Sequence, residues 1–287
     1  MNKILLKFSM FLFSLIPLFF VQLIGGLIGH LFNFLNSRSR NILVENLTNS
    51  NIYKNKSDLQ KAININIGET GKTILEGFSI WLSKESRVLS WVKEVKGLDE
   101  VKKAQNNNKG IIFITPHLGC YEITSIYMGS KNPLTVLYRP PRQKWLVNLI
   151  KKGREKGLST LVPTDKSGVK QILKALKSGE AVGILPDQAA NKGEGEWVDF
   201  FGRPAYTMVL LSKLVNKTGA SVIMAFGERL GNGKGFKIHF ETIDPDAVST
   251  PSKLNKLLER EIRKAPTQYL WNYDKHKGYE AQIKKTT

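Results

Sequence analysis

One cysteine, Cys120, in 287 residues rules out any internal disulfide. That shortage fits a reducing compartment. Histidine is also scarce. His30, His117, His239 and His276 are scattered and form no H-E-x-x-H pair, so a zinc site has little to draw on. No G-x-S-x-G elbow marks a serine hydrolase, and no repeat of solenoid period is visible. Acidic residues are the other deficit: 24 Asp plus Glu against 43 Lys plus Arg leave a net charge of +19. Such a balance says little about fold but points to an anionic partner, whether nucleic acid, membrane surface, acidic protein or substrate. The sequence signatures of nucleic-acid-binding modules are missing.

Charge is absent altogether from Phe8 to Leu35. A bilayer core needs about 20 apolar residues, so this run is long enough to cross one. It is too long for the h-region of a secretory signal, and no A-x-A cleavage site follows. The expectation is a membrane anchor over residues 1–36, with a buried or interfacial hairpin as the alternative. Pro17, Gly25, Gly26 and Gly29 allow a bent or re-entrant helix. Lys3 and Lys7 flank the run on one side and Arg38 and Arg40 on the other, which leaves its orientation undecided.

Residues 37–287 carry enough apolar side chains for one large domain; the whole chain is 41% hydrophobic. Residues 36–100 read as mostly helical, with Asn-rich breaks at 48–57, and QNNNKG (105–110) reads as a turn. Then strand-like runs and helical periodicities alternate. IIFIT, LTVLYR, LSTLVPT and AVGILPD read as strands, YEITSIYMG, PRQKWLVNLIKKGREKG and SGVKQILKALKSG as helices. VIMAFGERL and GFKIHFETI, joined by a GNGKG turn, read as later strands, and a terminal helix stops before Pro266. This pattern predicts an α/β domain. In such sheets ligands sit beyond the carboxyl ends of the strands, where His117 and Asp187 fall.

The segment NIGETGKT (66–73) ends like a phosphate-binding loop, but Asn66 stands where the motif needs its first glycine. A helical surface, with Gly68 and Gly71 allowing close packing, is the expectation. The stretch IIFITPHLGCYE (111–122) carries more chemistry. On one helix His117 and Glu122 would stand about 140° apart. With His117 in the loop and Glu122 in the first helical turn, Gly119 lets them converge. A carboxylate on one imidazole nitrogen fixes the tautomer and raises the basicity of the other, as a general base requires. A capping histidine and a glutamate at a helix N-terminus account for the same residues. Cys120 reads better as a buried small residue than as a nucleophile.

HLGCYE also resembles the H-x-x-x-x-[DE] motif of glycerolipid-type acyltransferases. ITPHLGCYE, YRPPRQKWLVNLIKKGRE, GILPDQ and VDFFGRPAYT follow in the order found in the lipid A biosynthesis acyltransferases, and QYLWNYDKHK is similar to that family's C-terminal run. The resemblance spans nearly the whole chain. It implies a glycerolipid-acyltransferase-like fold, a central mixed sheet flanked by helices behind an N-terminal anchoring helix. It implies transfer of a fatty acyl chain from acyl carrier protein to a hydroxyl of the lipid A precursor, without acyl-enzyme intermediate and without metal or organic cofactor. His117 would be the general base, oriented by Glu122. Arg154 and Asp187 match the basic and acidic positions of the second and third blocks. Arg154 would bind phosphate or support the site, and could pair with Asp187. Arg139 is a further phosphate-binding candidate, and Gly202 and Thr207 would shape the site. Phe200 and Phe201 suit either the core or the wall of an acyl-chain slot.

The implied partners, acyl carrier protein, lipid A precursor and an anionic membrane, are all negatively charged, and nucleic acid is not expected. Residues 131–177, with twelve Lys or Arg and two acids, suit any of the three, although a solvated helix face uses such residues too. The implied location is the bacterial inner membrane, single-pass, catalytic domain toward the cytoplasm, where the donor is. Another glycolipid or a glycerophosphate as acceptor is the alternative, and a non-enzymatic basic membrane-binding protein a more distant one.

Overall fold

Strand-forming runs and helical periodicities alternate after residue 91, and the computed structural model, which describes residues 10–141 and 143–279, resolves them into an α/β sheet. Lys3, Lys7 and the start of the apolar run at Phe8 lie outside the described residues, as do Arg142 and residues 280–287. A helical stretch over residues 10–15 ends before Pro17, and three longer helices follow: α1 (Leu18–Leu35), α2 (Ser37–Asn49) and α3 (Lys56–Leu82). The break between α2 and α3 falls in the Asn-rich stretch, where the Asn55 side chain caps α3 by accepting from the Asp58 amide at 2.7 Å.

The chain continues through α4 (Glu85–Ser90), β1 (Val92–Lys96), α5 (Leu98–Asn106), β2 (Ile111–Ile114), α6 (Tyr121–Gly129), β3 (Leu134–Tyr138), α7 (Lys144–Arg154), β4 (Ser159–Pro163), α8 (Lys166–Lys177) and β5 (Ala181–Ile184). A hairpin, β6 (Gly195–Phe200) and β7 (Arg203–Met208), precedes α9 (Leu210–Thr218), β8 (Ser221–Leu230), β9 (Gly235–Ile243) and α10 (Pro251–Lys264). The sheet runs β1-β9-β8-β2-β5-β3-β4. The β8–β9 hairpin is antiparallel and the other neighbours are parallel, so the sheet is mixed, as expected.

The central strands are apolar on both faces because both faces are covered. Ile112 and Ile114 of β2 enter one core with α2, α8, α9 and α10. Ile111 and Phe113 point the other way, into a second core with α4, α5 and α6. The helical expectation for 36–100 fails at β1. VKEVK is largely polar, with no fully buried position. It is recruited only by parallel pairing with β9, far away in sequence (Val95 opposite Ile238), which local propensity cannot foresee.

The phosphate-loop lookalike lies inside α3, as the helical reading expected. A Cβ on Gly71 would stand 2.0 Å from the Gly25 carbonyl oxygen, and one on Gly29 would stand 2.3 Å from that of Ile67. These glycines let α1 and α3 pack backbone against backbone.

Candidate active site

β2 and β5 are parallel neighbours in register, with Ile114 opposite Ile184. His117 and Asp187 each lie three residues beyond that last pair. Equal overhang from adjacent strands brings the two side chains together. Asp187 Oδ1 stands 2.8 Å from His117 Nδ1, and Oδ2 accepts the His117 backbone N–H at 2.9 Å. The expectation that Glu122 orients His117 is therefore corrected: the carboxylate on the imidazole is Asp187. Burial alone would raise the Asp187 carboxyl. The His117 charge and hydrogen bonds, with Lys275 nearby, outweigh it and hold the group below the usual carboxylate value.

With Nδ1–H donated to Asp187, Nε2 is left as an acceptor. It faces Gln188 Nε2 at 3.3 Å. The Tyr121 ring meets the imidazole edge-on at 4.6 Å and fixes its plane. His117 is 12% exposed, whereas Asp187 is 2% exposed behind it. Such a dyad can hold one tautomer and take a proton at Nε2.

Glu122 sits in the first turn of α6, buried, and engages Arg154 instead. Arg154 Nε donates to Oε1 and Oε2 at 3.1 and 2.9 Å, its Nη2 donates to Oε1, and Trp81 Nε1 donates to Oε2 at 3.1 Å. The guanidinium also lies over Trp81, 5.5 Å from the ring centroid. The possible Arg154–Asp187 pairing is thus corrected to Arg154–Glu122. Both members border the same cavity as His117, so the His117–Asp187 dyad and the Arg154–Glu122 ion pair meet at one space.

That cavity has a volume of about 550 Å³. It lies between α6 and the sheet face carrying Phe113, Val136, Gly183 and Ala225. Arg139, Lys166 and Lys213 are exposed at its rim beside Asp165 and Glu194. Gly202 and Thr207 do not border it. Gly202 (φ +72°) makes the β6–β7 turn with Phe201 (φ +49°). Thr207 is fully buried and hydrogen-bonds Asn255. Phe200 and Phe201 belong to the core.

Several residues escaped the sequence reading. The Tyr269 phenol stands against Asp187, and burial, then the Asp187 charge, push it well up and keep it protonated. Lys275 is buried, bonded to Asn255 Oδ1 at 3.1 Å and set 3.9 Å over the Phe200 ring; burial lowers its ammonium to about 8. Lys156 caps the C-terminus of α3 by donating to the Ile80, Trp81 and Ser83 carbonyls, which steadies Trp81. The one available signal was QYLWNYDKHK, which supplies both Tyr269 and Lys275.

The loop between β2 and α6 is pinned from behind. Gly119 (φ +61°) donates to the Gln268 carbonyl at 3.0 Å, and Cys120 N donates to the Gly227 carbonyl at 2.8 Å. A Cβ on Gly119 would stand 2.2 Å from that carbonyl oxygen, so only glycine fits. Arg229 is buried beneath, donating to Glu69, to Glu76, to Thr73 and, at 3.3 Å, to the Gly119 carbonyl. Cys120 is 2% exposed, and burial, then Glu76, push its thiol well up, so it holds no ready thiolate. Cys120→Ser is expected to keep its catalytic rate. A loss beyond about tenfold in single-turnover measurements, about 1.4 kcal/mol of barrier, would reinstate a thioester intermediate.

The sequence model of the family described as bacterial lipid A biosynthesis acyltransferase matches residues 3–277. The lipid A biosynthesis palmitoleoyltransferase of Escherichia coli (strain K12) is 28% identical over 226 residues, covering 76% of this chain and 72% of that protein. The lipid A biosynthesis lauroyltransferase of the same strain is 27% identical over 231 residues, covering 77% and 74%. A lipid A biosynthesis acyltransferase of Haemophilus influenzae is 26% identical over 219 residues, covering 74% and 69%.

Proposed function

The chain belongs to the bacterial lipid A biosynthesis acyltransferase family, and from that premise we propose that it moves a fatty acyl chain from acyl carrier protein to a hydroxyl of an acyl chain on the lipid A precursor. The observation that carries the mechanism is His117, backed by Asp187 at 2.8 Å and bordering an apolar cavity with Nε2 as acceptor. The acceptor hydroxyl takes the hydrogen-bond position now held by the Gln188 amide. Nε2 removes its proton as the oxygen attacks the thioester carbonyl. The new C–O bond forms, the C–S bond breaks on collapse, and the carrier thiolate regains a proton from the imidazolium. No acyl-enzyme is formed.

Glu122 acts here through Arg154. Its carboxylate binds one edge of the guanidinium and sets the other edge toward the cavity. Arg154, with Arg139, Lys166 and Lys213 at the rim, suits phosphate on either substrate: the lipid headgroup or the carrier's prosthetic arm. Donor and acceptor place the domain on the cytoplasmic side of the inner membrane.

The test of the reaction mixes membranes containing the protein with a tetra-acylated precursor and a panel of acyl carrier proteins, and reads product mass. A gain of one acyl chain supports the reading. No gain with any donor, from folded protein, overturns it.

The two Escherichia coli relatives are named for different acyl chains, and here the cavity beside His117 is the proposed seat of the donor chain. Gly183 is the opening in the cavity wall. The nearest atoms to a Cβ there are Val136 Cγ2 at 3.5 Å and Cγ1 at 3.8 Å, and Leu134 Cδ1 at 4.0 Å, all ordinary contacts. A glycine inside a central strand, which costs stability, marks such an approach. Gly183→Leu is expected to shift the preferred donor to a shorter chain, by about 10-fold or more in relative kcat/KM against the original donor. An unchanged donor profile would remove the acyl chain from this cavity.

A further inference from the structure

The face of α1 turned away from the protein is apolar apart from His30, which is exposed at its edge beside Gly68 of α3. Leu18, Val21, Gln22, Gly25, Gly29 and Asn33 are buried against the domain. On the opposite face Phe19, Leu23, Leu27, Leu31, Phe34 and Leu35 are open, Leu27 at 65% and Phe34 at 82% exposure. A surface stripe of this kind marks contact with something apolar. Residue spacing alone reads it as a segment crossing a bilayer.

The contacts at the two ends of α1 argue otherwise. Just before its start, Ser83 Oγ donates to the Ser14 carbonyl at 3.2 Å, and Arg87 Nη2 donates to the Leu15 and Ile16 carbonyls at 3.0 Å. The β8–β9 turn touches the first residues of α1, where Gly233 N donates to Gln22 Oε1 at 3.0 Å. Gln22 Nε2 also donates to Glu76, a buried member of the Arg229 cluster. The middle of α1 lies against Gly71 and Lys72 of α3, and Gly29 lies against Ile67. Its last turn leads directly into α2, whose Leu43 and Leu47 are core residues. The whole helix, about 27 Å at 1.5 Å per residue, is thus fastened to the polar domain along one side.

We propose that α1 lies in the plane of the membrane, its apolar face sunk into the cytoplasmic leaflet, and does not cross the bilayer. A crossing would carry the adjoining Lys72, Arg87 and the β8–β9 turn with Lys234 into hydrocarbon, at about 2.5–3.5 kcal/mol for each charge at the centre. Lying flat, the helix buries its open stripe about 5–10 Å into the headgroup boundary. Basic side chains then meet anionic headgroups at both ends. Lys234 is exposed in the turn beside Phe19, Lys84 follows Ser83, and Arg38 and Arg40 are exposed beyond Leu35. Positive charge on both flanks gives a crossing helix no orientation. It is what a helix with both ends on one anionic surface needs.

Depth of immersion decides the matter. In the full chain carrying Cys120→Ser, single spin labels are placed at Phe20→Cys, Leu27→Cys and Phe34→Cys, three open positions a heptad apart on one stripe of the helix. Each protein is reconstituted in vesicles of phosphatidylethanolamine and phosphatidylglycerol. Depth is read from relative collision rates with oxygen and a water-soluble nickel chelate, and circular dichroism checks that each variant is folded. The expected result is one common depth, about 5–10 Å below the phosphates. Leu27 near the midplane, about 15 Å deep in a core of about 30 Å, with Phe20 and Phe34 shallow, overturns the proposal. So do three labels left in water. All of these results are independent of whether the protein transfers acyl chains.

Discussion

His117→Ala is expected to lower acyl transfer by about 10²–10⁴-fold, the range a general base contributes, with the folded amount of protein unchanged. The side chain borders the cavity, 12% exposed, and also packs edge-on against Tyr121, so circular dichroism checks that the variant is folded. Asp187→Asn tests the assignment more sharply. The carboxylate accepts twice, from His117 N and His117 Nδ1. An amide has one oxygen for these two donors, so its NH₂ must face one of them. If the NH₂ faces the ring, it demands the other tautomer and places the proton on Nε2, where the base must be free. The same exchange in a serine protease triad costs about 10⁴-fold, and a loss of that order is expected here. Glu122→Gln frees Arg154 and leaves the imidazole's partner in place, so its effect should fall on KM for phosphorylated substrate more than on kcat. Single-turnover rates for the three variants check this. An Asp187→Asn loss below tenfold, or a Glu122→Gln loss in kcat equal to that of His117→Ala, would return the orienting role to Glu122.

Removing Arg229 is expected to cost the fold about 3–5 kcal/mol, the usual penalty for leaving a buried charge without its partner. Arg229 and Glu76 are 2% and 0% exposed, and Glu69 is 10% exposed. In Arg229→Ala, Glu69 keeps Lys72 at 2.6 Å, but the fully buried Glu76 loses its cation and retains only the Gln22 amide. At about 2–4 °C per kcal/mol for a domain of this size, Tm falls by about 6–20 °C. Because Arg229 also reaches the Gly119 carbonyl and Gln22 joins the cluster through Glu76, the loop bearing His117 and the seat of α1 both loosen. The variant Arg229→Met with Glu69→Leu and Glu76→Leu separates charge from shape. Replacing a whole buried ion cluster by apolar side chains is often neutral or stabilising, so this variant should recover most of the lost Tm. Thermal unfolding followed by circular dichroism reads both. A single-variant loss under about 1 kcal/mol would mean that water reaches the cluster.

Gly71 shows how local pattern and tertiary contact divide the information. GETGKT looks like a phosphate loop, yet the missing glycine at Asn66 was enough to decline it, and the helix could be read from periodicity. The reason for the glycine, a 2.0 Å approach to the Gly25 carbonyl, depended on which helix came alongside. Strand β1 and the β6–β7 hairpin behave similarly, because their residues become strand only once paired.

The sequence by itself determined the alternation of strands and helices, the apolar run before residue 36, the basic surface and the family. It also put His117 and Asp187 beyond the carboxyl ends of their strands. These follow from short-range periodicity and from ordered motifs. Only the tertiary structure decided which carboxylate meets the imidazole. Asp187 is 70 residues from His117, and the register of β2 with β5 makes them neighbours, while Glu122, five residues away, turns toward Arg154. It alone set both ends of α1 against the domain. Register and packing couple residues distant in the chain, and nothing in local spacing records that coupling.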